Sequence, residues 1–181
     1  MFRIRERKNR FLAVLPFVLV AVLVITGLLW YTGRIAFNFE SFSTYANPIL
    51  GVSFRYPSEW KPDTTYGTIG TVAGRYQGKN GFFGIDAIAT EDDINMIVDE
   101  ITNHKLQPYG KQPTVFSMKV DRQEARVIVP SKDQISAKKE VALIIRYPKP
   151  IRIQSQDYSY LVVVTDPGHV KVLADTLEFY Q

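Results

Sequence analysis

VALIIRY, Val141 to Tyr147, and YSYLVVVT, Tyr158 to Thr165, are nearly continuously apolar. A strand with one wet face alternates polar and apolar residues, whereas a strand covered on both faces does not. These two stretches therefore read as the central strands of a layered domain. Between them, Pro148-Lys149-Pro150 and Ile151 to Ile153 suggest an irregular edge and a short extra strand. Upstream, Thr114 to Val120 and Glu124 to Val129 read as two strands joined by a turn at Asp121-Arg122, with Ala125, Val127 and Val129 on one face. Pro130 stops the second, and the polar segment Ser131 to Glu140 reads as a mobile loop. Downstream, Asp166-Pro167 looks like an N-cap with proline at the first helical position. The helix that follows would bury Val170, Leu173, Ala174 and Leu177, before Leu177 to Tyr180 finish the chain.

Further out, Val52, Phe54 and Tyr56 alternate with Ser53 and Arg55, the pattern of a half-buried strand. Pro57 ends it, because proline cannot donate to a strand ladder. Ser58-Glu59-Trp60 is then a turn that can fold Trp60 back onto the sheet. Thr68 to Tyr76 and Phe82 to Ala89 flank Gln77-Gly78-Lys79-Asn80-Gly81, and Asn-Gly between two strand-like runs signals a hairpin. The Gly-Lys pair is no phosphate loop: the glycine spacing is wrong and no Ser or Thr follows Lys79. Thr90 is the expected start of a helix, with Asp93 three residues on as a variant capping box. Glu91, Asp92 and Asp93 would favour its positive end, Lys105 and a protonated His104 its negative end. Ile94, Ile97, Val98 and Ile101 fall on one face at helical spacing.

Residues 11–31, FLAVLPFVLVAVLVITGLLWY, contain no charge. A bilayer core about 30 Å thick needs roughly 20 apolar residues in a helix, and this run supplies them. Trp30 and Tyr31 sit where an interfacial aromatic belt falls. Residues 1–10 carry Arg3, Arg5, Arg7, Lys8 and Arg10 against Glu6. Basic flanks stay cytoplasmic, so the expected topology is single-pass, N-terminus inside, with the C-terminal part extracytoplasmic in the cell membrane. A cleaved signal peptide would have a shorter apolar core and a small-x-small site directly after it, which this sequence lacks. The organisation expected is a basic cytoplasmic tail, 1–10, a transmembrane signal-anchor helix, 11–31, a tether studded with Phe37, Phe39, Phe42 and Tyr45, 32–46, and one extracytoplasmic domain, 47–181. The rings of the tether either dip into the outer leaflet or begin the fold.

The formal net charge of +4 belongs entirely to residues 1–10, since the remaining 17 bases and 17 acids balance. The basic balance is thus a membrane-topology signal, with anionic lipid as its partner, and not a nucleic-acid footprint. Cysteine is absent, which excludes thiol chemistry, Cys-ligated zinc and disulfides together.

Few residues invite a chemical reading. There are two histidines, His104 and His169, and neither has a histidine partner at helical spacing, so zinc is not indicated. Asp166 and His169 are three apart and can face each other; the simpler reading has Asp166 capping the helix and His169 pointing to water. Ser53 and Ser117 lie in strands without a nucleophile elbow. Glu91-Asp92-Asp93 is more simply a cap than an acid–base cluster. Arg75 and Tyr76 with Lys79 and Phe83 mix basic and aromatic residues, but on a neutral domain outside the cell. No catalytic, cofactor-binding or metal residue is assigned, no cofactor is implied, and an enzyme is not expected.

Val52-Ser53-Phe54-Arg55-Tyr56-Pro57-Ser58-Glu59-Trp60 resembles the opening of the PsbP-like family, in which a strand runs into Tyr-Pro-x-x-Trp. Leu173 to Phe179 is similar to that family's close, and residues 123–134 to one of its strands, although Arg122 stands where glycine is common. The resemblance covers about residues 45–181. It implies an α+β domain, an antiparallel sheet flanked by helices in an α/β/α sandwich. It also implies an accessory or assembly role outside the cytoplasm without catalysis. Photosynthetic members bind a membrane complex, and none of their ion-binding residues carries over. The expected function is a membrane-anchored, non-catalytic binding or accessory module whose partner is a membrane or envelope protein. Two alternatives stand beside it: a cell-envelope hydrolase using His169 or His104, and a ligand-sensing domain that signals through a membrane partner.

Overall fold

The computed structural model describes residues 41–65, 73–134 and 139–180, all within one unit, Glu40–Gln181. The expected basic tail 1–10, the membrane helix 11–31 and the tether up to residue 40 lie outside the described residues. Among the described residues no helix is long and apolar enough to cross a membrane.

The two apolar stretches lie at the middle of the larger sheet, as β8 (Val141–Ile153) and β9 (Gln156–Thr165). Around them run β3 (Lys61–Pro62), β4 (Gly74–Gln77), β5 (Phe82–Ile88), β7 (Gln123–Val129) and β6 (Thr114–Val120), in the order β3-β4-β5-β9-β8-β7-β6. Every neighbouring pair is antiparallel. Val141, Ala142, Leu143, Ile144 and Ile145 are all buried, so successive side chains of β8 enter two different cores. On one face Leu143, Ile145, Leu161 and Val163 meet Phe54, Trp60 and Leu173. On the other, Ile128, Ala142, Ile144 and Tyr160 meet Ile94, Ile97 and Val98 of helix α1 (Ile94–Thr102).

The first core is closed by helix α2 (Val170–Thr176) and by a second antiparallel sheet of three strands, β1 (Phe42–Asn47), β2 (Val52–Pro57) and β10 (Glu178–Phe179). The described residues therefore form an α+β fold of antiparallel sheets and two helices, with a small sheet beside α2 that the sequence pattern does not suggest. Tyr45, Phe54, Tyr56, Tyr76 and Phe83 join the two sheets through ring contacts of about 5 Å, among them Tyr76 stacked on Phe83 at 4.9 Å. These rings, with Arg75 over Phe82, belong to the packing and form no basic–aromatic surface. Burial pushes the Tyr45 hydroxyl pKa up, a hydrogen bond from Asn47 partly opposing it.

Several expectations are corrected. The tether does not extend to residue 46: Phe42–Asn47 is β1, in register with β2, and Tyr45 is buried. Asn47 makes that hairpin by accepting the N–H groups of Ile49 and Leu50. Helix α1 starts at Ile94 rather than Thr90, because Asp93 is the cap and accepts from Asn95 N–H. The Thr90 hydroxyl is spent locally on Asp92. The helix ends before His104 and Lys105, so neither complements its dipole. Ile151 to Ile153 is no separate strand but the tip of β8, paired to β9 across an irregularity between Arg146 and Ile151. Prolines 148 and 150 fall within that irregularity, where missing donors cost least. The polar loop 131–140 is tied down where described: Gln134 is buried, donates to Pro108 C=O and accepts from Glu140 N–H. Of the strand expected over Thr68 to Tyr76, residues 68–72 lie outside the described residues, and β4 spans Gly74–Gln77.

Candidate functional site

Trp60 is the largest fully buried side chain of the domain. Pro57 ends β2, the Trp60 N–H returns to Pro57 C=O at 3.0 Å, and the indole is laid onto the sheet. The β4–β5 turn crosses directly over it. A Cβ at Gly78 would run into Trp60 Cδ1, and one at Gly81 would lie 2.7 Å from Trp60 Cζ2 and collide with the Asp166 carboxylate. The turn glycines are needed for this close approach. Neither has a positive φ, so the Asn-Gly pair does not form the two-residue turn it signals, and Gly78 N–H bonds Gly81 C=O across a longer loop.

Asp166 and His169 close the other side. His169 Nδ1 lies 2.9 Å from both Asp166 carboxylate oxygens, and its ring stands 4.7 Å from Trp60 at 71°. Asp166 also accepts from Gly168 N–H at 2.9 Å and from Phe82 N–H at 3.3 Å. It thereby forms a turn rather than a cap, and α2 begins only after His169, which makes no side-chain cap bond. The expectation that Asp166 caps and His169 points to water is corrected on both counts: the His169 side chain is 12 % exposed. Sequence spacing brought the pair into view, but its contact with Trp60, more than a hundred residues away in sequence, left no local signal except the two glycines.

A cleft of about 260 Å³ opens beside the pair, between Lys79 and Asn80 of the turn, Pro167, and Lys139. Trp60 Nε1 is buried without a hydrogen-bond partner among the described residues. An imidazole oriented by a carboxylate is half of a nucleophilic device; the other half is a hydroxyl within hydrogen-bond reach. The serines weighed for that role lie elsewhere: Ser53 pairs with Ala46 and Glu178 in the small sheet, and Ser117 is on the outer strand β6. His104 is exposed in the loop after α1, where its Nδ1 accepts from Leu106 N–H at 3.2 Å. Asp92 and Asp93 are engaged at the start of α1, as described above. Among the described residues no group of three or more His, Asp and Glu side chains is placed to hold a metal.

No family model and no curated protein matches this chain. Among the solved structures similar to it are two of low identity. Cyanobacterial PsbP (CyanoP) from Synechocystis sp. PCC 6803 is 9 % identical, covering 80 % of this chain and 96 % of its own, with a TM-score of 0.46. The Ran-binding protein Mog1p of Saccharomyces cerevisiae is 11 % identical, covering 70 % of this chain and 78 % of its own, with a TM-score of 0.40.

Proposed function

We propose that the chain is a membrane-anchored, extracytoplasmic, non-catalytic module that binds a membrane or envelope protein by adding a strand to its β6 edge. The observation that carries this reading is the contrast between the two ends of the large sheet. At one end β3 is two residues long and contains Pro62, features that blunt an edge. At the other, β6 runs for seven residues without proline, no described strand pairs with its outer side, and Val115 and Phe116 are exposed. Such an edge offers a row of backbone donors and acceptors to a partner strand. Anchoring is supported by the charge-free run 11–31 and its basic flank.

The test is a photo-crosslinking amino acid at position 116 in the full chain within its native membrane. A discrete adduct that disappears with Val115→Lys, while the same probe at exposed Met96 gives none, supports strand addition. Diffuse labelling, or the same adduct from both positions, overturns it. Protease added to intact cells should remove the domain; digestion only after lysis would overturn the topology.

One observation favours a second reading, an envelope hydrolase: the Asp166–His169 pair is oriented as such a site requires. The same ring is packed on Trp60 and its carboxylate bonds two backbone N–H groups, which supports a structural clasp. A hydrolytic activity in the purified chain that is abolished by His169→Gln with the fold intact would replace the first reading with the second.

A further inference from the structure

The face of the large sheet that carries α1 is wider than α1 can cover. A helix with its side chains is about 10–12 Å across, and strands lie about 4.8 Å apart, so one helix shields two or three strands. α1 packs on Ile128, Ala142, Ile144 and Tyr160. Next to it Val162 and Val164 of β9 and Ile88 of β5 remain half-buried, and they floor a cleft of about 310 Å³ walled by Ile101.

Two features set this cleft apart from a gap in packing. The first is Gly84, inside β5 and paired with Val164 on one side and Arg75 on the other. Glycine inside a strand weakens it and marks a place where something approaches closely. Nothing in the described chain does so here, since a Cβ at Gly84 would meet no heavy atom nearer than Gly74 O, at 3.8 Å. The second is the charge at the rim. Arg75 pairs with Glu140 at 3.9 Å and its guanidinium lies 4.4 Å over the Phe82 ring. Asp86 is exposed on the same rim, and among the described residues its Oδ1 accepts only its neighbour's N–H, at 2.8 Å. Two carboxylates and one guanidinium thus line the rim around an apolar floor.

We infer that this cleft is a binding site for a small amphipathic cation, whose apolar body lies over Gly84 and Val164 and whose ammonium head meets Asp86. The volume lies at the lower end of the range for small-molecule sites, and a few polar groups around apolar walls is their usual composition. The opposite polarity, an apolar carboxylate held by Arg75, would place a third anion beside Glu140 and Asp86.

Three probes of matched body separate these cases: 2-phenylethylamine, 2-phenylethanol and 3-phenylpropanoate, titrated into the full-length chain with labelled Ile and Val methyl groups. The amine should shift the Val162, Val164 and Ile88 methyls saturably. It should bind about fivefold to tenfold more tightly than the carboxylate at low salt, the size of one surface charge pair, and the margin should shrink as salt is added. Gly84→Val places methyls in the cleft and should remove all binding. Asp86→Asn, at an exposed position, should bring the amine to the affinity of the alcohol and leave the alcohol unchanged. The inference is overturned if none of the probes saturates these methyls, if the carboxylate binds as tightly as the amine, or if Gly84→Val binds as the parent does. Should Gly84→Val fail to fold, the Asp86→Asn comparison decides alone, and an unchanged preference for the amine overturns the proposal.

Discussion

His169 stands edge-on to Trp60 with ring centroids 4.7 Å apart, and Asp166 fixes it there through Nδ1 at 2.9 Å. The same carboxylate reaches the first residue of β5 through Phe82 N–H, so one aspartate joins the β4–β5 turn, the start of α2 and the indole between them. The turn glycines make room for this arrangement, which gives a direct test. Gly78→Ala and Gly81→Ala should each destabilise the domain by about 1–3 kcal/mol, the usual cost of overpacking. Gly84→Ala, in the same hairpin but facing open space, should be neutral or slightly stabilising. Urea denaturation of the three variants measures this, and equal losses at all three positions would count against it.

The β6–β7 connection places two residues, Asp121 at φ 44° and Arg122 at φ 67°, where side chains are strained. Val120 pairs with Gln123 across them, so this is a two-residue hairpin turn with positive φ at both centres. Arg122→Gly should raise stability by roughly 0.5–1 kcal/mol, since a left-handed conformation costs a non-glycine residue about that much or more. Asp121 has a reason to stay: its Oδ2 accepts Phe179 N–H at 2.9 Å, tying β10 to the turn. Asp121→Ala should cost about 0.5–1.5 kcal/mol and speed amide exchange at Phe179, whereas Asp121→Asn should keep most of both. A midpoint for Arg122→Gly below that of the parent would contradict the strain argument.

These two sites show what a sequence can and cannot display. The hydrophobic runs 141–147 and 158–165 are read directly as central strands because burial on both faces leaves no polar residue in them. The face Ile94, Ile97, Val98 and Ile101 is equally plain, since helical spacing is local. The sequence leaves the start of α1 open by a few residues because Thr90 and Asp93 are both good caps, and only geometry shows which one accepts the helix N–H. The small sheet is hidden in the sequence for a different reason. β1 looks like a tether and β10 is two residues long; each becomes a strand only by pairing with β2, a contact no local pattern encodes. The contact between Trp60 and His169 is long-range in the same sense.

Buried tyrosines set the alkaline limit of the domain. Burial, with Glu140 nearby, pushes the Tyr109 hydroxyl up to about 12, and burial also raises those of Tyr147 and Tyr45. A group whose folded pKa is raised contributes stability that is complete below its unfolded pKa and is lost as pH climbs toward the folded value. The unfolded value for tyrosine is about 10. Stability should therefore hold to about pH 10 and fall between about pH 10 and 12. Tyr109→Phe should flatten that fall. A parent and a Tyr109→Phe variant with parallel stability profiles above pH 10 would refute the assignment.

Asp93 as the cap of α1 makes a prediction that separates it from Thr90. Asp93→Ala removes the acceptor for Asn95 N–H and should cost about 1 kcal/mol. Thr90→Ala removes only two exposed bonds with Asp92 outside the helix and should cost less than about half of that. Chemical denaturation of the two variants reads the difference directly. The reverse order would put the helix start back at Thr90.

Phe116 is 54 % exposed on the outer strand β6, so more than half of its surface is not covered by the domain that carries it. Phe116→Lys should therefore leave unfolding free energy within about 0.5 kcal/mol of the parent. The same change adds a second lysine, in addition to exposed Lys119, to the β6 edge, and charge on an edge opposes pairing with another chain. The variant should accordingly be as stable as the parent, less prone to self-association in light scattering, and deficient in the proposed strand pairing when the photoprobe is carried at position 115 instead. Stability and binding are expected to separate here because the residue lies on the sheet's rim and not between its layers. A Phe116→Lys variant that unfolds markedly more easily would show that the ring supports the fold, and the edge would lose its claim as a docking strand.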